Sequence, residues 1–350
     1  MLRALVLALC ALHASVPLWT QSVRIGVFTL FHPTQLEIEP VPSSALALDG
    51  SRQPLILNGE PGHAKALVHF ADGRMLLGAD PAESITAAAR DGGPADFVIS
   101  IPGRITRRYH GVLAISADAK QLIPVVSMDI ETAAASIVAA ESPPGASIEA
   151  MKAQAVVARS FLFAGSRHHD YDFCDTTHCQ FLRQPPAPDS RAFAATRATR
   201  GLILTWHGAP LAAMYSSRCG GRTASLHDIG ISSNGYPYFA VACAYCRRHP
   251  VKWTRAVSAA DAKKLAQSRE SARLALGREY GWSAIPGNRY TSRESSTGVI
   301  LSGEGSGHGV GLCQYGAAGM AAEGASYGVI LRHYYPETEL ASISSQNKQP

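Results

Sequence analysis

Residues 141–161, ESPPGASIEAMKAQAVVARSF, dictate the architecture around them. Upstream, Asp129 is a suitable N-cap for a helix that we predict to end at or just before Glu141. The Pro-Pro pair that follows stops this helix, because proline lacks the amide hydrogen that a helix interior needs. Ser147 is then a suitable N-cap for a second helix. The sequence therefore predicts two consecutive helices with a carboxylate at the end of the first.

Glu141 falls on the apolar side of the first predicted helix. Ile130, Ala134, Ile137 and Glu141 follow one another at spacings of four, three and four residues. Partial burial and the negative end of the helix dipole both disfavour the anion, so we expect a protonated carboxyl near neutral pH. Such a group can protonate the leaving oxygen when a glycosidic bond breaks. Spacing alone also fits a solvated carboxylate at a helix end.

A second string that carries chemistry is CDTTHCQ at residues 174–180. It holds three potential metal ligands within six residues, namely Cys174, His178 and Cys179. A histidine five or six residues upstream, His168 or His169, completes the four ligands of a tetrahedral zinc site. A Cys174–Cys179 disulfide is the alternative in an oxidising compartment.

Composition limits the classes of function for the 350-residue chain. With 46% hydrophobic and 17% charged residues, the chain is expected to fold around a hydrophobic core and not to be disordered. The net charge of +5 is only mildly basic, and no Lys/Arg run is interleaved with aromatic residues, which argues against nucleic-acid binding. A polyanionic sugar polymer suits such a surface.

The N-terminal residues 1–22 are predicted to be a signal peptide or an N-terminal anchor. Arg3 precedes the apolar run ALVLALCALHASV, which is typical of a secretory signal and too short for an ordinary membrane span. We therefore expect an exported protein of the periplasm or cell envelope, attached to the membrane only if this segment is uncleaved. Cys10 matches a lipoprotein box poorly. The other six cysteines leave both disulfides and metal sites open.

The remaining chain predicts an α+β fold. Residues 23–124 alternate apolar and polar side chains between turn signals such as Asn58-Gly59, which predicts a β-rich N-terminal part. Helices and strands mix over residues 125–340. Residues 258–278 are predicted to form a polar surface helix, and residues 341–350 a flexible tail.

The segment YSSRCGGRT at residues 215–223 combines hydroxyls, exposed backbone and a guanidinium. These groups suit the wall of a glycan-binding groove, and the candidate substrate-binding residues are Tyr215, Ser216, Ser217, Gly220, Gly221 and Arg222. A Gly-Gly turn between strands is the alternative. Within the segment, Cys219 joins Cys243 and Cys246 as a trio that forms either a disulfide with one spare thiol or a second metal site with His249.

The segment GEGSGHGVGLCQYG at residues 303–316 lacks the Lys-Ser/Thr of a phosphate loop, so it is not expected to bind nucleotides. Its glycines allow the backbone to approach a ligand closely. His308 and Gln314 are its candidate substrate-binding side chains. His308 is either a proton shuttle or a turn histidine bonded to the backbone.

Together these motifs resemble the SpoIID/LytB family of bacterial cell-wall proteins, whose sporulation members are lytic transglycosylases acting on peptidoglycan. The resemblance covers about residues 125–340 through E-x-P, EA-x-KAQAV-x-AR, Y-x-S-S-x-GGRT and GHGVGMSQ-x-GA…YYP, in that order. The sequence departs from the pattern at Ser142, Cys219 and Cys313, where family members commonly carry Met, a small residue and serine.

The resemblance implies a catalytic domain over residues 125–340 with Glu141 as its single acid/base. It implies cleavage of peptidoglycan glycan strands, best after removal of the stem peptides, with 1,6-anhydro-muramic ends. It also implies a structural Zn²⁺ bound by His168, Cys174, His178 and Cys179. Four protein ligands close such a site to water, which argues against a zinc hydrolase. The alternative within the family is a non-catalytic LytB-like protein that binds peptidoglycan and enhances a cell-wall amidase.

Overall fold

The computed structural model describes residues 21–51, 53–59, 65–232 and 235–346. The predicted signal or anchor at residues 1–22, except for its last two residues, lies outside these ranges, and so does Cys10. Among the described residues, every helix is too short or too polar to cross a bilayer.

The N-terminal part of the described chain is built from strands. Those before the first helix are β1 Ser22–Gly26, β2 Gln35–Pro40, β3 Ala45–Asp49, β4 Leu55–Asn58, β5 Ala66–Ala71, β6 Arg74–Leu77, β7 Asp80–Ala82, β8 Ile85–Ala88, β9 Ala95–Ile101, β10 Ile105–Ala117 and β11 Leu122–Asp129. These strands and β12, Phe173–Cys174, form one sheet in the order β12-β1-β11-β10-β9-β2-β5-β6-β7; β8 also pairs with β10, β3 with β8, and β4 with β3. Alternate residues of the long β10 are buried, as expected for a sheet with one face on a core.

Helices and short strands mix in the rest of the chain. The helices are α1 Ile130–Glu141, α2 Ile148–Phe163, α3 Arg191–Ala198, α4 Ala244–Arg248, α5 Ala259–Gln267, α6 Arg269–Tyr280, α7 Gln314–Ala322, α8 Tyr327–Tyr334 and α9 Ile343–Gln346, with a 3₁₀ turn at His227–Ile229. The strands are β13 Leu202–Trp206, β14 Ala209–Pro210, β15 Tyr215–Ser216, β16 Lys252–Val257, β17 Tyr290–Ser295, β18 Gly298–Glu304, β19 Leu312–Cys313 and β20 Glu339–Ser342. The predicted α+β class is confirmed.

Both predicted helix starts are confirmed by their caps. The Asp129 carboxylate accepts the backbone N–H groups of Glu131 and Thr132, and α1 ends at Glu141. The Ser147 hydroxyl accepts the N–H of Ala150 at the start of α2. Because α2 is buried along most of its length, it serves as the central helix of the second half of the molecule.

Arg159 of α2 is a buried structural residue and is not exposed on the surface. Its guanidinium is fully buried and bonds both carboxylate oxygens of Glu131, at 2.9 and 2.6 Å, and the carbonyl oxygen of Leu202 at 2.9 Å. Arg159 of the quoted motif thus connects α2 to α1 and to the start of β13.

Two sequence-based expectations need correction. The single polar helix predicted over residues 258–278 is two helices, α5 and α6, which meet at Ser268, and Glu270 and Leu276 of α6 are buried. The predicted flexible tail begins with ordered structure, because β20 pairs with β13 and is followed by α9. Packing against β13, which local sequence does not reveal, explains the second difference.

Candidate active site and metal centres

The Glu141 carboxyl lies at the end of α1, where three other segments meet it. The Phe181 N–H and the Tyr215 hydroxyl both donate to its Oε1, at 3.0 and 3.2 Å. The Gln314 side-chain amide donates to the Glu141 carbonyl oxygen at 2.8 Å. The residue is therefore fixed from the loop after Cys179, from β15 and from the start of α7.

The environment of Glu141 favours a neutral carboxyl. Burial raises its pKa above the ordinary value of 4.5, against the opposing hydrogen bonds from Phe181, Tyr215 and Gln314 and the nearby charge of Arg183. The shift has the direction that a general acid needs near neutral pH. The same hydrogen bonds are available to the anion that forms after proton donation.

Glu141 opens into a cavity of about 500 Å³. Five of the predicted substrate-binding residues line it, namely Tyr215, Ser216, Ser217, His308 and Gln314. Parallel pairing of β15 with β19 brings their two segments together, with Ser216 opposite Cys313. The structure thus assembles these residues around the carboxyl.

The other three predicted residues lie elsewhere. Arg222 lines a separate cavity of about 280 Å³ that adjoins the Glu141 cavity through Gly307 and His308. Gly220 and Gly221 line a third depression, which Arg222 also lines. Both glycines have positive φ, 71° and 101°, a backbone conformation that glycine adopts without steric cost.

Cationic side chains outnumber anionic ones in the wall of the smaller cavity. Its wall contains four arginines and two carboxylates, namely Arg218, Arg222, Arg269, Arg289, Asp228 and Glu304. The guanidinium of Arg218 also stacks on the ring of Tyr315, 3.3 Å from its centroid. This surplus of positive charge beside the Glu141 cavity suits an anionic ligand group.

His308 is held by the backbone. The Val310 N–H donates to His308 Nδ1 at 3.1 Å, and the ring also hydrogen-bonds to the backbone of Tyr215. Burial lowers the pKa of His308, which favours the neutral imidazole. These backbone bonds match the predicted alternative of a turn histidine, and His308 also lines both cavities.

Helix α6 contributes cavity residues that sequence reasoning missed. Glu270 and Arg273 line the Glu141 cavity and form a two-bond ion pair, with both nitrogen–oxygen distances 2.8 Å. The Asn288 amide also donates to Glu270 at 2.6 Å. Burial alone would raise the pKa of Glu270, but Arg273 lowers it overall. The i, i+3 spacing of Glu270 and Arg273 was the available signal, yet it is equally common on solvated helices.

The four predicted zinc ligands converge. The potential ligand atoms of His168, Cys174, His178 and Cys179 all lie within 4.8 Å of one another. His168 Nε2 is 3.2 Å from Cys179 Sγ, whereas His169 is exposed and pairs with Asp170 instead. Two sulfurs and two imidazoles in one cluster fit the donor set of a closed tetrahedral zinc site.

This cluster shares its loop with Glu141. Cys179 and His178 line the same cavity, and two residues after Cys179 the Phe181 N–H bonds the carboxyl. The hydrogen bond between the two thiols lowers the pKa of Cys174 and raises that of Cys179. Without a cation, therefore, only one of the two thiols, that of Cys174, is favoured as a thiolate. A divalent metal ion would stabilise both as thiolates.

A second cluster is formed by the buried thiols of Cys219, Cys243, Cys246 and Cys313. The predicted trio is confirmed as neighbours, but its fourth member is Cys313 and not His249. A buried four-cysteine cluster of this kind is able to hold a metal.

Comparison with known proteins gives concordant matches. The family model described as Stage II sporulation protein (SpoIID) matches residues 118–206. An uncharacterised protein of Brachyspira hyodysenteriae is 28% identical over 276 residues, 69% of this chain and 74% of the relative. Stage II sporulation protein D of Bacillus amyloliquefaciens is 23% identical over 272 residues, 63% of this chain and 76% of the relative. The Amidase enhancer of Bacillus subtilis is 46% identical over 52 residues, 15% of this chain and 7% of the relative.

Proposed function

Because the chain belongs to the SpoIID/LytB family and has a cell-wall-related function, we propose that it cleaves peptidoglycan glycan strands as a lytic transglycosylase. The observation that supports this most strongly is Glu141, a half-buried carboxyl with a raised pKa in a cavity lined by hydroxyl and amide groups. We place the catalytic domain at residues 125–340 and the protein in the cell envelope, where its substrate is found.

In the proposed reaction Glu141 acts twice. Its carboxyl first donates a proton to the glycosidic oxygen as the bond to the muramic C1 breaks. The resulting carboxylate then removes the proton from the C6 hydroxyl of the same sugar, whose oxygen bonds C1 and closes a 1,6-anhydro ring. No water is consumed, and Glu141 ends protonated. Because the attacking hydroxyl belongs to the substrate, no second acid/base is required.

Glu270 is a poorer candidate for the acid. Its oxygens already accept hydrogen bonds from Arg273 and Asn288, and its lowered pKa keeps it ionised. A paired carboxylate has no proton to give at neutral pH. We therefore assign proton transfer to Glu141 alone.

Zinc fits the His168, Cys174, His178 and Cys179 cluster, and we propose that it is structural there. Bound zinc would hold both thiolates and fix the loop that leads to Phe181. The proton steps stay with Glu141, because four protein ligands leave no coordination position for water.

Tyr215 offers a test of the acid through pH. Its hydroxyl stabilises the Glu141 anion, so Tyr215→Phe should raise the pKa of Glu141 further. General-acid activity is lost as pH rises through that pKa. The alkaline limb of kcat/KM should therefore move to higher pH in the variant. An unmoved limb, or one moved to lower pH, would argue against Glu141 as the titrating acid.

The cationic cavity predicts the preferred substrate. Removal of a stem peptide leaves a lactyl carboxylate on each muramic unit, and an arginine fork binds such a group well. We expect amidase-treated strands to be cleaved faster than intact strands, and added salt to slow cleavage. Arg222→Ala should reduce the preference roughly tenfold, as for loss of one charged hydrogen bond.

Exposed Arg293, which lies outside this cavity, provides the matched control. Arg293→Ala removes the same charge and should keep the preference. Equal rates on both substrates, or equal effects of the two substitutions, would contradict the role assigned to the cavity.

The second candidate function is enhancement of a cell-wall amidase, favoured by the local match to the Amidase enhancer. Such a protein would bind glycan without cleaving it. Purified protein separates the two: glycan release without an amidase supports the transglycosylase, whereas release only in the presence of an amidase supports the enhancer.

A further inference from the structure

The buried cluster of Cys219, Cys243, Cys246 and Cys313 has the dimensions of a metal site. All four sulfurs lie within 4.8 Å of one another, and those of Cys246 and Cys313 are 3.5 Å apart. With zinc–sulfur bonds of about 2.3 Å, the sulfurs of a tetrahedral site lie about 3.8 Å apart. A disulfide needs about 2.05 Å. The observed spacing therefore fits four thiolates around one ion better than two sulfur–sulfur bonds.

The local chain supports the same conclusion. Cys243 and Cys246 have the C-x₂-C spacing common in structural zinc sites, and α4 begins between them. Cys313 Sγ accepts the N–H groups of Cys219 at 3.4 Å and Gly316 at 3.3 Å. Amide donors of this kind stabilise metal-bound thiolates.

Gly316 shows how closely the cluster is packed. A Cβ added at this position would lie 2.6 Å from Cys243 Sγ and 2.1 Å from the Tyr334 hydroxyl. Tyr334 itself donates to Cys243 Sγ at 3.6 Å. All four cysteines are at most 3% exposed, so water cannot compensate the charge of a thiolate there. A divalent cation supplies that compensation.

We propose that these four cysteines bind a second, structural Zn²⁺. Two of them, Cys219 and Cys313, are among the three positions at which the sequence departs from the family motifs, and these two lie together in the cluster. The site would link two segments that line the Glu141 cavity: Cys219 lies two residues after Ser217, and Cys313 directly precedes Gln314. Helix α4 and its N-cap residue contribute the other two ligands, Cys246 and Cys243.

The test is metal content of the full chain purified without added metal or chelator. Wild type should contain two zinc equivalents. Cys246→Ser should retain one, at the mixed sulfur–nitrogen site. Cys174→Ser should also retain one, now with four sulfurs at about 2.3 Å by X-ray absorption. Comparing the two variants shows which of the two clusters binds zinc, because each variant removes a ligand from only one of them.

Two results would overturn the proposal. One is a Cys174→Ser protein that is folded and contains no zinc. The other is a peptide map of the wild type with disulfides among the four cysteines. Because the wild-type count and the peptide map need no substitution, the test does not depend on Cys246→Ser folding.

Discussion

Glu141→Gln should lower glycan cleavage at least about a hundredfold and leave glycan binding intact. The amide keeps an oxygen that can accept from Phe181 and Tyr215, but it has no proton of suitable acidity for the glycosidic oxygen. The measurement is the rate of release from amidase-treated strands, with binding measured separately by sedimentation with sacculi.

The fold is not expected to suffer in this variant. A pKa raised by burial means that Glu141 stabilises the folded state at low pH and that this contribution is lost as pH rises through the folded pKa. A neutral amide avoids that loss, so the melting temperature near neutral pH should not fall below that of the wild type. Glu149→Gln is the matched control, because Glu149 bonds Lys152 and Tyr327 outside the cavity. Wild-type rates in Glu141→Gln would disprove the assignment.

Removal of metal from the His168, Cys174, His178 and Cys179 cluster should cost both stability and activity. His168→Ala should lose one zinc equivalent and lower the melting temperature by roughly 5 °C, as expected for loss of a ligand worth about 4 kcal/mol. Cleavage should fall as well, because the loop that presents the Phe181 N–H to Glu141 is no longer fixed.

His169→Ala is a close control for this experiment. The two histidines are adjacent, but only His168 joins the cluster, and the side chain of His169 is 99% exposed. His169→Ala should keep metal, stability and activity. A metal-free wild type that is folded and fully active, or a Cys174–Cys179 disulfide found by peptide mapping, would contradict the structural role of zinc.

The helices around Glu141 could be predicted because local rules decide them. Asp129 and Ser147 cap through bonds to residues two or three positions away, and the Pro-Pro pair fixes the break between α1 and α2. The cluster around Cys174 was equally accessible, since its ligands lie within twelve residues of one another.

The remainder depends on contacts between distant segments. Cys313 joins Cys219 only because β15 pairs with β19, and no local pattern encodes that pairing. The polar sequence of α6 predicts a helix exposed to solvent. In the structure Glu270 lines the cavity and bonds Asn288, a residue from a distant loop that the local sequence does not reveal. Arg222 and Ser217 are close in sequence, which suggests one shared wall, but Ser217 lines the Glu141 cavity and Arg222 lines the neighbouring one.

The chemical identity of the new glycan ends tests the proposed reaction most directly. Purified wild-type protein would be incubated with amidase-treated strands, and the released fragments would be analysed by mass spectrometry. Ring closure by the C6 hydroxyl predicts 1,6-anhydro-muramic ends, each lighter by one water than a reducing end. Reducing muramic ends would show attack by water and contradict the proposed double role of Glu141.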